Sequence, residues 1–333
     1  MSNADLAIDF QTYRGDLRIH CYRMTGSLED ADDLVQETFV RALKALTDFR
    51  RESSTRTWLY RIATNACIDH LRRRRRREVP EMASEQWDPN GAIPTEQDPD
   101  RWLQPFPTRS SSAEHSVPEV DTPEKWYVRK EAVSFAFLTA LQLLTPRQRA
   151  VLILRDVLDW SAEEVADLIE TSVSAVKSTL HRARAAVARF SESPPGPAPE
   201  GPTPAATSAL LSQYVRAWET LDIEGLVALL KEDAILAMPP FASWYRGRDA
   251  VATLLLLHPF GQRKRGGWRL VPTAVNGDPG FALYRADVPG GSHTPFGILA
   301  LILQGQTEAK VSKMTVFNNP HLPGRFGLPG EIP

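Results

Sequence analysis

The stretch Thr55 to Arg77, TRTWLYRIATNACIDHLRRRRRR, decides the fold of the first part of this chain. Leu59, Ile62, Ala63 and Ala66 recur at the three- and four-residue steps of one buried helix face. Trp58, Arg61, Asn65 and Arg72 recur at nearly the same steps on a neighbouring face, which the spacing leaves exposed. The helix then runs into an unbroken arginine block, Arg72 to Arg77. Aromatic rings stack on unpaired bases, amides read base edges and guanidinium groups hold phosphates, so one helix carries all three chemistries of single-strand binding. Arginines alone would equally suit a solvated charge run. A tryptophan and an asparagine phased with the cations favour the nucleic-acid reading.

Upstream, the loop DFRRESST (48–55) offers cations and hydroxyls suited to holding an extruded base, or forms a simple turn. Before it, Tyr13, Leu17, Cys21 and Met24 fall on one face of a helix over 10–24. Ser27 has the spacing of an N-cap for the next helix, LEDADDLVQETFVRALKAL, with Asp30 in its first turn. Leu34, Val35, Phe39 and Leu43 form its apolar side. Its acids exceed what capping needs and suit a docking face for a basic partner surface.

Downstream, 80–122 is rich in Pro, Ser, Glu and Asp and reads as a linker, although Trp102, Leu103 and Phe106 are too apolar for a passive tether. A largely apolar helix over 126–144 follows, and Thr145 with Pro146 starts another. Ser161 then caps AEEVADLI, a short turn intervenes, and VSAVKSTLHRARAAVARF completes helix-turn-helix spacing. Val176, Leu180, Ala183 and Val187 face inward in this last helix. Ser174, Lys177, Ser178, His181 and Arg182 face outward, a small-polar and basic strip suited to major-groove edges and phosphates.

At 333 residues, 42% hydrophobic and 24% charged, the chain has the composition of a multidomain globular protein. Its net charge of -2 hides arginine blocks and acidic clusters, so local fields decide its partners. Cys21 and Cys67 lack metal-ligand spacing and read as reduced core residues. Asp5 and Asp9 interrupt any leader-like apolar run, and the runs 251–257 and 297–303 are too short to span a bilayer. A cytoplasmic protein with no membrane contact, no metal and no cofactor is expected.

Taken together, residues 10–190 resemble an extracytoplasmic-function sigma factor of the sigma-70 family, through DADDLVQETFVRAL, TWLYRIATNACIDHLRRR and LTPRQRAVLILRDVLDWSAEEVADLIETSVSAVKSTLHRARA. The resemblance implies core RNA polymerase (clamp coiled coil and flap) and promoter DNA as partners. Asp30, Asp32, Asp33, Gln36, Glu37 and Phe39 would dock on the polymerase. Arg50, Arg51, Ser53, Ser54, Arg56, Trp58, Arg61, Asn65, Arg72 and Arg73 would open and read the −10 element as single strand. The helix bearing Ser174, Lys177, Ser178, His181, Arg182 and Arg184 would read the −35 element as duplex. Many relatives have Gly-Thr-Val-Lys-Ser-Arg-Leu where this chain has Ser174-Ala175-Val176-Lys177-Ser178-Thr179-Leu180, which removes one phosphate contact and one hydroxyl.

Beyond the proline-stiffened linker SESPPGPAPEGPTP (191–204), Leu210 to Leu230 reads as amphipathic helix. Strand-like segments follow at 234–238, 268–275, 281–288, 298–303 and 311–317, an α+β cone. AWETLDIEGLVALLKEDAILAMPP and WYRGRDAV resemble a SnoaL-like domain. The expected order is a first all-α domain over 1–79, linker 80–122, an all-α helix-turn-helix domain over 123–190, linker 191–204 and a regulatory cone over 205–333. Trp102, Leu103 and Phe106 would seat in a chamber of that cone lined by Met238, Trp244, Trp268 and Tyr284, or merely pad the seam between the two all-α domains. Among Asp222, Asp233, His258, Asp278 and His293 no spacing forces an acid and a base together, so catalysis is not expected. Asp222 and Asp233 read as helix caps. The alternative is a last domain that binds or converts a small apolar ligand; a protein partner there is also open.

Overall fold

The computed structural model describes residues 3–46, 54–92, 94–108, 134–190, 201–260, 266–288 and 290–333. The arginine-tipped segment is helix α3 (Thr55–Arg73), following α1 (Asn3–Thr25) and α2 (Leu28–Lys44). Ser27 and Ser54 cap α2 and α3 by accepting the Asp30 and Thr57 backbone N–H groups, each at 3.1 Å. Leu17, Cys21 and Met24 of α1, Leu34 and Val35 of α2, and Leu59, Ala63 and Ala66 of α3 are buried together as the periodicity predicts, with Ile62 at the margin. Inside this core His20 Nε2 lies 2.9 Å from Thr64 Oγ1, tying α1 to α3.

Among the described residues four more helices belong to this first unit: α4 (Phe135–Gln142), α5 (Pro146–Leu152), α6 (Ala162–Leu168) and α7 (Val173–Phe190). Of the helix read over 126–144, residues 126–133 lie outside the described residues. Thr145 and Ser161 each form a capping box, with Gln148 and Glu164. A π-helical turn, Ile153–Val157, extends α5. The helix-turn-helix half packs on the first three helices at several points. Buried Arg149 of α5 donates to the Met24 carbonyl at the end of α1 and to Gln142 Oε1 at 3.1 Å. The Trp160 ring lies 5.4 Å from that of Tyr60 in α3.

The second unit joins the described residues of 78–108 to 201–333. It holds α8 (Pro204–Thr220), α9 (Ile223–Ala228), α10 (Arg248–Leu255) and strands β1 (Leu230–Ala237), β2 (Trp244–Arg246), β3 (Trp268–Val275), β4 (Asp278–Arg285), β5 (Thr294–Gln304) and β6 (Lys310–Phe317). The sheet order is β2-β1-β6-β5-β4-β3, with β1 and β6 parallel and the other pairs antiparallel. The single helix expected over 210–230 is broken: Leu221 turns left-handed at φ 58°, and Asp222 caps α9 by accepting the Gly225 N–H at 2.9 Å. Asp233, also read as a cap, instead stands exposed on β1 beside Lys231. Strand β2 carries no alternating pattern of its own and was not foreseen. Tyr214 and Trp218 of α8 pack onto the sheet, Tyr214 stacking on Phe281 at 5.9 Å. Among the described residues no helix is long and apolar enough to cross a membrane, and no His, Cys, Asp and Glu group could hold a metal ion.

Candidate nucleic-acid interface

The helix α3 carries a graded surface. Arg56, Arg72 and Arg73 are exposed, whereas Trp58, Arg61 and Asn65, expected to be exposed, are half-buried. The difference follows from the packing of α3 between two sets of neighbours, which narrows the face the helix shows to solvent. The Arg61 Nε atom is buried without a hydrogen-bond partner among the described residues. Arg56 lies over the rings of Tyr60 and Trp160, at 5.4 and 5.7 Å, a cation–π site that leaves its charge near the surface. Arg72 is held loosely by Asp69 at 3.3 Å. Ser54 serves as the cap of this helix, and Arg50, Arg51 and Ser53 lie outside the described residues.

The arginine block is not uniform. Arg73 to Arg76 are exposed, but Arg77 is buried and donates to Asp30 Oδ2 at 2.9 Å, with His70 Nε2 3.4 Å from the same oxygen. Burial alone would raise the Asp30 carboxyl; the neighbouring His70 ring and the Arg77 guanidinium outweigh it and hold it well below the ordinary carboxylate range. Asp30 is therefore a clasp between α2 and the end of α3. Asp32 faces inward too, gripped by both Arg18 guanidinium nitrogens of α1, the longer contact 3.2 Å. The Phe39 ring packs against that of Phe10 at 4.4 Å, tilted by 34°. Asp33, Gln36 and Glu37 remain exposed, Glu37 beside Arg41 at 2.6 Å, and Val40 and Leu43 are exposed apolar neighbours.

On α7, the inward Val176, Leu180 and Ala183 are buried and the outward Ser174, Lys177, Ser178, His181 and Arg182 are all exposed. Arg184 differs: it forms a two-pronged pair with Asp156 of the π-turn, at 2.9 and 2.7 Å, which raises its pKa further. It anchors the helix from behind its exposed strip.

The stretch read as a linker is described as far as Thr108, and the second unit holds it along its length. Glu81 meets Lys313 of β6 at 2.6 Å. The Trp87 N–H donates to the Trp244 carbonyl at 2.9 Å, and the Trp244 indole N–H to the Ser84 carbonyl at 3.0 Å. Phe106 and Asn276 bond reciprocally: the Phe106 N–H donates to Asn276 Oδ1 at 2.8 Å, and the Asn276 N–H to the Phe106 carbonyl at 2.9 Å. The Thr108 hydroxyl then accepts the Gly277 N–H at 2.9 Å. Trp102, Leu103 and Phe106 are buried, at 2, 2 and 4% exposure. Their expected seat needs correction. Met238 and Trp268 line a cavity of this unit, but Trp244 grips the linker backbone and Tyr284 donates its hydroxyl to the Pro329 carbonyl at 2.7 Å. Phe106 sits at the β3–β4 turn because that turn offers partners for extended backbone, which an apolar chamber lacks. No sequence signal marked Asn276 as a linker contact.

His293 is buried and bonds the Gly266 carbonyl through Nε2 at 2.9 Å, while His258 lines the cavity without a carboxylate partner among the described residues.

Comparison with known proteins bears on these surfaces. Residues 10–77 match the model for Sigma-70 region 2, residues 134–187 that for Sigma-70, region 4, and residues 211–302 that for a SnoaL-like domain. The ECF RNA polymerase sigma factor SigG of Mycobacterium tuberculosis is 41% identical over 331 residues, covering 98% of this chain and 85% of that protein. The RNA polymerase sigma factor YlaC of Bacillus subtilis is 33% identical over 175 residues, covering 53% of this chain and 85% of that one. Among solved structures, the extracytoplasmic function sigma factor SigJ of Mycobacterium tuberculosis aligns with a TM-score of 0.60 at 23% identity, over 97% of this chain and 99% of the other, a likeness of fold.

Proposed function

Because the chain belongs to the extracytoplasmic-function RNA polymerase sigma factors, we propose that its C-terminal unit regulates promoter engagement in cis by holding the linker between its two DNA-reading regions. Directing core RNA polymerase to promoter DNA is the activity of the family; the assignment of surfaces is what this chain's geometry adds. The exposed strip of α7, Ser174, Lys177, Ser178, His181 and Arg182, reads the −35 duplex, its hydroxyls at base edges and its cations on phosphates. The α3 face bearing Arg56, Trp58, Arg61 and Asn65, with Arg72 and Arg73, takes the −10 strand. Trp58, Arg61 and Asn65 are half-buried on this face, while Arg56, Arg72 and Arg73 stand exposed at its two ends. Asp33, Gln36 and Glu37, with Val40 and Leu43, form the polymerase-docking patch, the clamp coiled coil being the partner the resemblance implies and the flap receiving the helix-turn-helix half. Asp30, Asp32 and Phe39 support that patch from inside, and Arg184 supports α7.

The observation that carries the regulatory reading is the reciprocal pairing of Phe106 with Asn276. It fixes a segment between the two DNA-reading regions onto the C-terminal sheet. A sigma factor needs freedom in that segment to span two promoter elements, so whatever binds it sets how readily the span is made. We read the C-terminal unit as a holder: among the described residues Asp222 serves as a helix cap and His293 bonds a backbone carbonyl.

Run-off transcription tests the reading. Asn276→Gly keeps the left-handed backbone at φ 55° while removing the acceptor for Phe106. Leaving that N–H unpaired costs about 1–3 kcal/mol, so transcript yield per polymerase should change from wild type. Unchanged yield, with release of the Phe106 amide to hydrogen exchange, would refute regulation through this contact.

A further inference from the structure

The C-terminal unit encloses a cavity of about 470 Å³, within the range of small-molecule sites. Its wall is aromatic and preset. Trp218 meets Trp268 edge-to-face at 6.2 Å, and Trp268 meets Phe296 in the same way at 5.1 Å. Such a T-shaped series leaves ring faces and edges against which a planar molecule packs. The size and aromatic wall suit a ring compound better than a bare ion.

Polar groups then restrict the chemistry: His258 and Asn318 line the wall, the Asn318 Oδ1 buried with no donor among the described residues, and two further groups weigh most. Trp218 is 3% exposed, and its indole N–H has no acceptor among the described residues. A buried donor left open calls for an acceptor on whatever fills the space. Arg285 lines the same cavity, half-buried, its guanidinium 5.3 Å from the centre of the Phe296 ring. No carboxylate pairs with it among the described residues. A guanidinium stacked on an aromatic face keeps its N–H plane free for an anion and sheds part of its water. The carboxylate on the wall, Glu96, is exposed and belongs to the linker, where its backbone bridges to Phe241.

We infer that this cavity binds a planar, mostly apolar ring compound carrying one anionic group, with its body against Trp218, Trp268 and Phe296 and its anion on Arg285. An acceptor atom on the ring system satisfies the Trp218 N–H. Glu96 places the linker at the same cavity, and the Gln97 N–H holds it to the Pro240 carbonyl at 3.1 Å. A bulky occupant therefore touches the segment whose freedom the C-terminal unit controls. The inference supplies the ligand class for the cis-regulation reading but rests on the cavity alone, so its test is binding and not transcription.

The test uses a matched pair of fluorescent probes on the full-length chain: anilinonaphthalene sulfonate, and N-phenylnaphthylamine, the same rings without the charge. Both should bind saturably at one site per chain. The sulfonate should bind roughly tenfold more tightly, the value of one charge-assisted contact. Arg285→Gln should erase that preference while leaving the neutral probe within about twofold of wild type. Met238→Trp, which fills part of the chamber from its partly buried wall, should weaken both probes; thermal melting of each variant separates lost binding from lost folding. Equal affinities for the two probes, parallel loss of both in Arg285→Gln, or binding indifferent to Met238→Trp in a folded protein would each overturn the inference.

Discussion

At the scale of single residues, the Asp30 clasp has the largest predicted consequence. Arg77 is 4% exposed at its side chain and Asp30 is its anchor. Asp30→Ala breaks this buried ion pair, and removing one member of such a pair costs about 3–5 kcal/mol, readable as a fall in the urea midpoint. Polymerase affinity should fall only in step with folding, whereas reversal of exposed Asp33 and Glu37 should abolish co-purification with core polymerase in a fully folded chain. His20 gives a pH signature. Burial, aided by the Arg23 charge, pushes its pKa from 6.5 down to about 3. The folded state keeps it neutral where the unfolded chain protonates it. Its stabilising share is complete above about pH 6.5 and is lost as pH falls toward 3. Urea midpoints measured from about pH 7 to about pH 4 should fall less steeply in His20→Gln than in wild type; parallel slopes would mean that His20 is not the titrating group. The identity of Asp30's partner was not legible in the sequence. The acid belongs to a cluster that reads as solvated, and its partner lies 47 residues away inside an arginine run that reads as uniform.

At the scale of elements, helix faces were legible and their neighbours were not. The inward and outward sides of α7 follow directly from 3.6-residue spacing, so its five outward residues and the inward Val176, Leu180 and Ala183 could be assigned a side before any contact was known. Only the pairing of Arg184 with Asp156 needed the π-turn to be seen. Lys177→Ala and Arg182→Ala should each flatten the salt dependence of −35 binding by at most about 0.9 in slope, measured by titration across ionic strength. Arg184→Ala should act differently, lowering affinity through a loosened helix, with coupling to Asp156→Ala of about 0.2–1 kcal/mol, the range for exposed pairs. A slope change as large as that of Lys177→Ala would put Arg184 on the DNA instead. On the β side, Asn276 and Gly277, with positive φ of 55° and 84° between paired strands, make a tight hairpin turn. The same turn became the linker's seat, which no local pattern announces, because that role depends on a segment far away in sequence.

At the scale of the whole molecule, the order of regions was legible from three motifs and two proline-rich stretches, but the allegiance of the linker was not. Composition reads 80–122 as solvated tether, and the isolated aromatics within it gave only the hint that they need burial. The structure answers with backbone hydrogen bonds to the C-terminal sheet and near-complete burial of Trp102 and Phe106. Burying such side chains is worth roughly 1.5–3 kcal/mol each, ample to bias a segment whose alternatives differ by little. Control through this linker is the central claim, and run-off transcription with purified core polymerase tests it most directly, comparing Trp102→Ala with Phe106→Ala in the full-length chain and in a 1–190 truncation. The account predicts that the double substitution changes transcript yield in the full-length chain and leaves the truncation as it was. An equal change in both would contradict it, showing that the linker acts without the C-terminal unit.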